Sequence, residues 1–371
     1  MSLPSHRRSY NKYWNNNAEQ YKRNTPNDVE IKTIRIFTSN YCPFRCTFCS
    51  SSFFLDRAGG LDDSKRSKVI YLSVENAIDL IIKLSQAWPE VRTVIFDDDA
   101  YTPQIKYVND VCRRIIAARE SGLIPPHLTF ICSSRVDHLN RPRAPEMLKL
   151  MKEAGFRMIM LGVESFSERV LRDFNKRITV LEIWEAIGRI LEADIQPLYY
   201  VIPFSPTIEL DELVDTIRQS IIALSMGVEV SINTYIWAIP GTPIYESSQY
   251  EVQYRDTHIE GINKTLKKPH FILPEKSKVR SLAEEFITRY SDYEKNLCEQ
   301  YGITHMPRRT ASLVTFYAML DILGGYEVEK EQILDALDAI SKGSFLARTN
   351  DKSNLKQKVE TMKWGNGPWA S

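Results

Sequence analysis

Cys42, Cys46 and Cys49 fall within eight residues, in the run Cys42-Pro43-Phe44-Arg45-Cys46-Thr47-Phe48-Cys49. The chain has six cysteines, and the others, Cys112, Cys132 and Cys298, stand alone. A disulfide framework would spread its cysteines differently, so a crowd of thiols points to a metal. Three soft thiolates on one short loop can each take one iron of a [4Fe–4S] cubane and leave the fourth iron without a protein ligand. A structural zinc is the competing reading. It needs a fourth ligand, usually from a second cysteine hook or from histidines at set spacing. No histidine lies in the loop, and the nearest other cysteine is Cys112.

The elements that must position this loop are legible as an alternation. Six short β-branched or apolar runs read as buried strands: residues 31–37, 92–96, 128–132, 158–163, 198–202 and 229–235. Helical patterns sit between them at 73–86, 105–121, 144–154, 179–193 and 209–226. The first opens on a Ser cap, and Gly122, Gly155 and Gly227 close three of the others. Strand–helix repetition with nearly all strands apolar means βα units and a parallel sheet covered on both faces. Six units cannot close the usual eight-stranded barrel, so a partial barrel or an open sheet is expected. In either, chemistry gathers at the C-terminal ends of the strands. The cysteine loop follows the first strand directly.

With that placement, C-x3-C-x-aromatic-C resembles the radical S-adenosylmethionine (SAM) superfamily, over roughly residues 31–245. The resemblance implies an α/β fold with a partial (β/α)6 barrel. It also implies a reaction in which the amino and carboxylate groups of SAM chelate the open iron. An electron from the cluster then breaks the C5′–S bond, and the 5′-deoxyadenosyl radical takes hydrogen from an unactivated carbon. Phe48 would lie against the adenine. Asp98 and Asp99, in Phe96-Asp97-Asp98-Asp99-Ala100-Tyr101-Thr102, end the second strand, where family members receive the SAM ammonium. Ser133 and Arg135 follow the third strand, the Ser for ribose and the Arg to fork onto the carboxylate. Glu164, in Gly162-Val163-Glu164-Ser165, would accept the ribose hydroxyls or the ammonium. Each has a structural alternative: an acidic turn, a helix cap, an ion pair. One departure stands out. After the fifth strand, Pro203 and Pro206 stiffen a loop where relatives often carry glycines.

The stretch between the second and fourth strands is most similar to the barrels of cobalamin-dependent radical SAM enzymes, which place a cobalamin-binding domain before the barrel. Only 30 residues precede Ile31, so a chain without that domain is expected. Asp256-Thr257-His258-Ile259-Glu260-Gly261 spells D-x-H-x-x-G, a pattern in which some cobalamin domains ligate cobalt. That role needs a strand–loop–helix setting, and the match reads as coincidence. The expected organisation is an arm (1–30), the barrel (31–245) and a helical C-terminal region (246–371). Residues 245–274 read as irregular, with helices at 278–301, 310–323, 330–340 and 351–362. Only Cys298 lies in that region, so a single cluster is expected.

Lys and Arg total 48 against 47 Asp and Glu, a net charge of +1, and the basic clusters are short and scattered. Nothing here argues for a nucleic-acid partner. No apolar run reaches the length of a membrane span, and no secretory signal opens the chain, so a cytoplasmic enzyme is expected. The favoured function is hydrogen abstraction from a small-molecule substrate, leading to elimination, decarboxylation, rearrangement or oxidation. The resemblance implies an electron donor such as flavodoxin or ferredoxin. A methyltransferase using separately supplied cobalamin and a non-catalytic, metal-stabilised binding protein are the alternatives.

Overall fold

The computed structural model describes residues 7–20, 31–61, 65–259, 264–304 and 306–342. Helix α1 (Arg7–Gln20) comes first, then β1 (Thr33–Ile36), α2 (Ser50–Ala58), α3 (Val74–Ala87), β2 (Thr93–Phe96), α4 (Ile105–Glu120) and β3 (Thr129–Ser134). Next come the short α5 (Val136–Leu139), α6 (Ala144–Ala154), β4 (Phe156–Glu164), α7 (Glu168–Asp173) and α8 (Val180–Glu192). The sheet ends with β5 (Gln196–Val201), α9 (Leu210–Ser225) and β6 (Glu229–Ile232). Beyond it lie β7 (Ile236–Trp237), α10 (Pro243–Glu246), β8 (Val252–Ile259), β9 (Lys264–Ile272), α11 (Ser277–Gln300), α12 (Arg308–Leu323) and α13 (Glu327–Ser341).

Local sequence sets the helix ends. The Ser73 hydroxyl accepts from the Asn76 backbone N–H to start α3, and Thr179 with Glu182 forms a capping box on α8. Gly155 ends α6 in the left-handed conformation, at φ 95°, so that β4 can begin at once.

Strands β1 to β6 pair in parallel and in chain order, which is the partial (β/α)6 barrel. The outer face packs on the helices in one large core that includes Val94, Phe96, Phe130, Ile159, Leu161, Tyr199 and Val230. The inner face carries a small apolar floor of Ile95, Ile131, Met158 and Leu198, with Met160 and Tyr200 against it. Arg35 shares the row of Ile95, Ile131 and Met158, and pairs with Asp97 at 2.8 Å. An unclosed sheet has two open edges, which left bare would invite pairing with another chain. Both are met here. Buried Trp14 of α1 donates its indole N–H to the Thr33 carbonyl of β1 at 2.9 Å. On the other side Ser312 of α12 donates to the Val230 carbonyl of β6 at 2.7 Å.

One expectation fails. Within 245–274, residues 252–259 and 264–272 are not irregular: β7, β9 and β8 form a three-stranded antiparallel sheet in that order. The sequence hides it because Val-Gln-Tyr-Arg-Asp-Thr-His-Ile and Lys-Thr-Leu-Lys-Lys-Pro-His-Phe-Ile lack the apolar alternation of a half-buried strand. Pro269 also reads as a breaker. It is tolerated because it pairs with Tyr254, where the register of β8 and β9 shifts. Helices α11, α12 and α13 follow as the periodicity requires, and the helix expected at 351–362 lies outside the described residues.

Candidate active site

The cysteine loop leaves the C-terminal end of β1 and is held from three directions. Behind it, Asp98 at the end of β2 accepts from the Thr38 backbone N–H and hydroxyl, both at 2.9 Å. The same carboxylate takes the Ser39 hydroxyl at 2.6 Å and the Ser39 backbone N–H. With these donors on a buried carboxylate, Asp98 fixes where the loop starts.

From a second side, Asp56 of α2 holds the loop through Arg45. Its Oδ2 accepts from the Arg45 guanidinium at 2.7 Å and from the Tyr41 hydroxyl at 2.9 Å, and its Oδ1 accepts from the Ser67 N–H at 2.7 Å. Burial alone would raise this carboxyl, but Ser67, Tyr41 and Arg45 outweigh it and hold it down at about 2. Arg45 itself sits at φ 42°, a left-handed position that a non-glycine residue adopts only under constraint.

The third support is the segment after α7. The Thr47 N–H donates to the Phe174 carbonyl at 3.1 Å, the Thr47 hydroxyl to the Asp173 carbonyl at 3.0 Å, and the Asn175 amide to the Arg45 carbonyl at 2.9 Å. Phe48 packs edge-on against Phe174 with centroids 4.9 Å apart. The Ile244 N–H of α10 donates to the Thr47 carbonyl, which ties in the turn through Gly241.

All three loop thiols are partly exposed, whereas Cys112 and Cys132 are fully buried. Burial pushes the Cys42 thiol up to about 12 and raises Cys49 as well, so an incoming metal must displace protons. Cys49 is the N-cap of α2, where the helix end favours a thiolate. Among the described residues no three such side chains converge on a single-ion position.

The remaining candidates line the neighbouring strand ends. Asp99, after β2, accepts from the Ser51 hydroxyl through Oδ1 at 2.8 Å. Its carboxyl is raised, by desolvation first and by Asp98 and Asp97 after it, against the lowering effect of Ser51. Half-buried Ser133 on β3 uses its carbonyl for the Tyr101 N–H. Glu164 ends β4 at φ 72°, where the pairing with β5 slips by one residue, and its Oε1 accepts from Lys176 at 3.1 Å. Gly162 leaves room for that pair; a Cβ there would lie 2.7 Å from Glu164 Oε1 and 2.8 Å from Lys176 Nζ. Asp99 Oδ2, the Ser133 hydroxyl and Glu164 Oε2 have no hydrogen-bond partner among the described residues. Three adjacent strands thus each present an oxygen at the mouth.

Arg135, expected at the SAM carboxylate, is held by four contacts. Its Nε meets Asp137 at 2.8 Å, one terminal nitrogen donates to the Lys176 carbonyl at 2.7 Å, and the other points at Cys46 Sγ, 3.7 Å away. The guanidinium lies 4.2 Å over the Phe44 ring. It faces the loop. Residue-by-residue reading missed Asp56, Asn175 and Lys176. The only signal was Asn175, a residue that tolerates the left-handed conformation, between two elements; here it has φ 54°.

A six-stranded partial barrel with a three-thiol loop at its mouth is the architecture of a metalloenzyme working at the strand ends. Residues 36–219 match the radical SAM superfamily, so the chain carries a domain of that family. Its cofactors are those of the family, a [4Fe–4S] cluster and SAM. Among curated relatives, an uncharacterised methyltransferase of Pyrococcus horikoshii is 29% identical over 211 residues, 57% of this chain and 41% of that protein. The anaerobic magnesium-protoporphyrin IX monomethyl ester cyclase of Cereibacter sphaeroides is 32% identical over 154 residues, 42% of this chain and 22% of that one. The chain therefore matches less than half the length of either. Among solved structures, the cobalamin-dependent radical SAM enzyme OxsB with aqua-cobalamin and SAM bound is similar in fold. Its TM-score is 0.54 at 14% identity, covering 90% of this chain and 50% of that one. No helix among the described residues is long and apolar enough to cross a membrane.

Proposed function

We propose that Cys42, Cys46 and Cys49 hold one [4Fe–4S] cluster, and that the chain uses it with SAM to take hydrogen from a small-molecule substrate. The observation that carries this is the placing of the three-thiol loop, pinned by Asp98, Asp56 and the 173–177 segment, beside three strand ends with unengaged oxygens. When bound, such a cluster supplies one electron to the sulfonium, and SAM supplies the 5′-deoxyadenosyl radical. Glu164 and Asp99 offer acceptors for the ammonium or ribose hydroxyls, and the Ser133 hydroxyl serves the ribose. Phe48, held edge-on by Phe174, offers a face for the adenine. The inner face below holds the Arg35–Asp97 pair and Tyr200, whose hydroxyl rests on Met160 Sδ at 3.3 Å. A substrate there meets a polar wall above an apolar floor.

Charge-assisted hydrogen bonds are each worth about 1.5–3 kcal/mol, so Glu164→Ala or Asp99→Ala should weaken SAM binding by roughly 10- to 100-fold. Equilibrium dialysis against labelled SAM, with iron assayed in parallel, measures this. Unchanged affinity in both variants at full iron content would place the SAM pocket elsewhere.

A second reading, methyl transfer with cobalamin supplied from outside these residues, is favoured by the methyltransferase among the relatives. His258 is a poor cobalt ligand for it. It is exposed on β8 of an antiparallel sheet, 3.4 Å from the Thr265 hydroxyl, and not in a loop between a parallel strand and a helix. His258→Ala should leave 5′-deoxyadenosine formation unaltered, and methylcobalamin added during reconstitution should not co-purify. Stoichiometric cobalt, with a spectrum that changes in the variant, would make methylation the leading function.

A further inference from the structure

We propose that Arg135 is a positioning residue for the cluster, donating a charged hydrogen bond to the Cys46 sulfur and thereby setting the cluster's reduction potential. This role presupposes a cluster on Cys42, Cys46 and Cys49. The side chain is 9% exposed and fixed at four points: Asp137 on Nε, the Lys176 carbonyl on one terminal nitrogen, Cys46 Sγ on the other, and the Phe44 ring against its plane. Phe44 is in turn backed by the buried His138 ring, with centroids 5.0 Å apart. So the guanidinium cannot swing out to solvent without losing several contacts at once.

An arginine held in this way brings a permanent positive charge and an N–H donor to a thiolate in a poorly solvated setting. Both favour the reduced cluster, which is one unit more negative than the oxidised one. Hydrogen bonds to sulfur and local charge are the protein's means of setting such potentials. The same residue joins the end of β3 to the 173–177 segment, so a purely structural role is the competing explanation. A potential separates the two, because bracing alone would not shift it.

The test uses anaerobically reconstituted full chain, with iron assayed in every sample. In wild-type protein carrying guanidino-15N arginine, pulsed electron paramagnetic resonance of the reduced cluster should show a 15N coupling. Arg135→Lys should abolish it. In redox titrations Arg135→Gln should make the cluster about tenfold harder to reduce, a shift of ~59 mV to more negative values for one electron. Phe44→Leu, which removes the platform and keeps the charge, should shift it less and in the same direction. If Arg135→Gln fails to retain iron, the isotope coupling and the Phe44 variant still decide. An iron-loaded wild-type protein without 15N coupling, or equal potentials in all loaded variants, would overturn the role of Arg135 while leaving the cluster in place. Wild-type protein that binds no iron would instead overturn the cluster reading itself.

Discussion

Alanine at Cys42, Cys46 or Cys49 should take anaerobically reconstituted protein from about four irons per chain to nearly none, and abolish 5′-deoxyadenosine formation. The effect is large because a cubane with one open iron has only three protein ligands; losing one leaves two open corners and no thiolate near enough to replace it. Cys112 lies fully buried on α4 and Cys132 fully buried on β3, both in the outer core away from the loop. Cys298 sits on α11. Cys112→Ala and Cys298→Ala should therefore keep their iron, with Cys112→Ala losing some stability from a packed site. Iron and sulfide assays with visible spectra check all five variants. Loss of iron in Cys298→Ala at full folding, or retention in Cys46→Ala, would show that the ligand set is wrong.

Asp56→Ala should destabilise the barrel by about 3–5 kcal/mol, the range for breaking a buried ion pair by removing one partner. Both side chains of the Arg45–Asp56 pair are buried, at 9% and 2% exposure, and the aspartate also receives Tyr41 and Ser67. Removing it leaves a buried guanidinium without its carboxylate and an orphaned phenol beside a loop residue at positive φ. Cluster retention should fall with stability, because Arg45 belongs to the loop that carries Cys42 and Cys46. The same carboxyl makes the fold acid-sensitive. Its value of about 2 in the folded chain lies below the ordinary 3.8, so its contribution is complete above that ordinary value and is lost as pH falls from about 4 towards 2. Denaturant unfolding of the iron-free protein at neutral pH and at pH 3 should show the wild type losing stability and Asp56→Ala losing less. A difference below about 1 kcal/mol at neutral pH would contradict the assignment of Asp56 as an anchor.

Much of this is legible in the amino-acid sequence, for reasons that differ by element. The six barrel strands lie between helices and the barrel interior, so their sequences are mostly apolar or β-branched and stand out as runs. The cysteine loop was legible because metal chemistry dictates residue type and spacing together. The antiparallel sheet of β7, β8 and β9 was not, since its two long strands carry charges at Arg255, Asp256, Lys267 and Lys268 and a proline at 269. Nor could spacing distinguish Asp98 from its neighbour Asp99. Successive residues at a strand end point in opposite directions, and one carboxylate turned in to Thr38 and Ser39 while the other stayed at the mouth beside Ser51. Arg135 shows the same limit. Its type suggested an anion, but its direction, under the loop and onto Cys46, depends on Phe44 and Lys176, which are distant in the chain.

The most direct measurement is to reduce the reconstituted protein with dithionite in the presence of SAM and quantify 5′-deoxyadenosine and methionine by chromatography. A radical SAM barrel with its cluster on Cys42, Cys46 and Cys49 should release both products in equal amounts, and neither in the Cys46→Ala variant. A protein that holds a reduced [4Fe–4S] cluster and SAM yet yields no 5′-deoxyadenosine, or one that purifies anaerobically with stoichiometric zinc and takes up no iron, would contradict it.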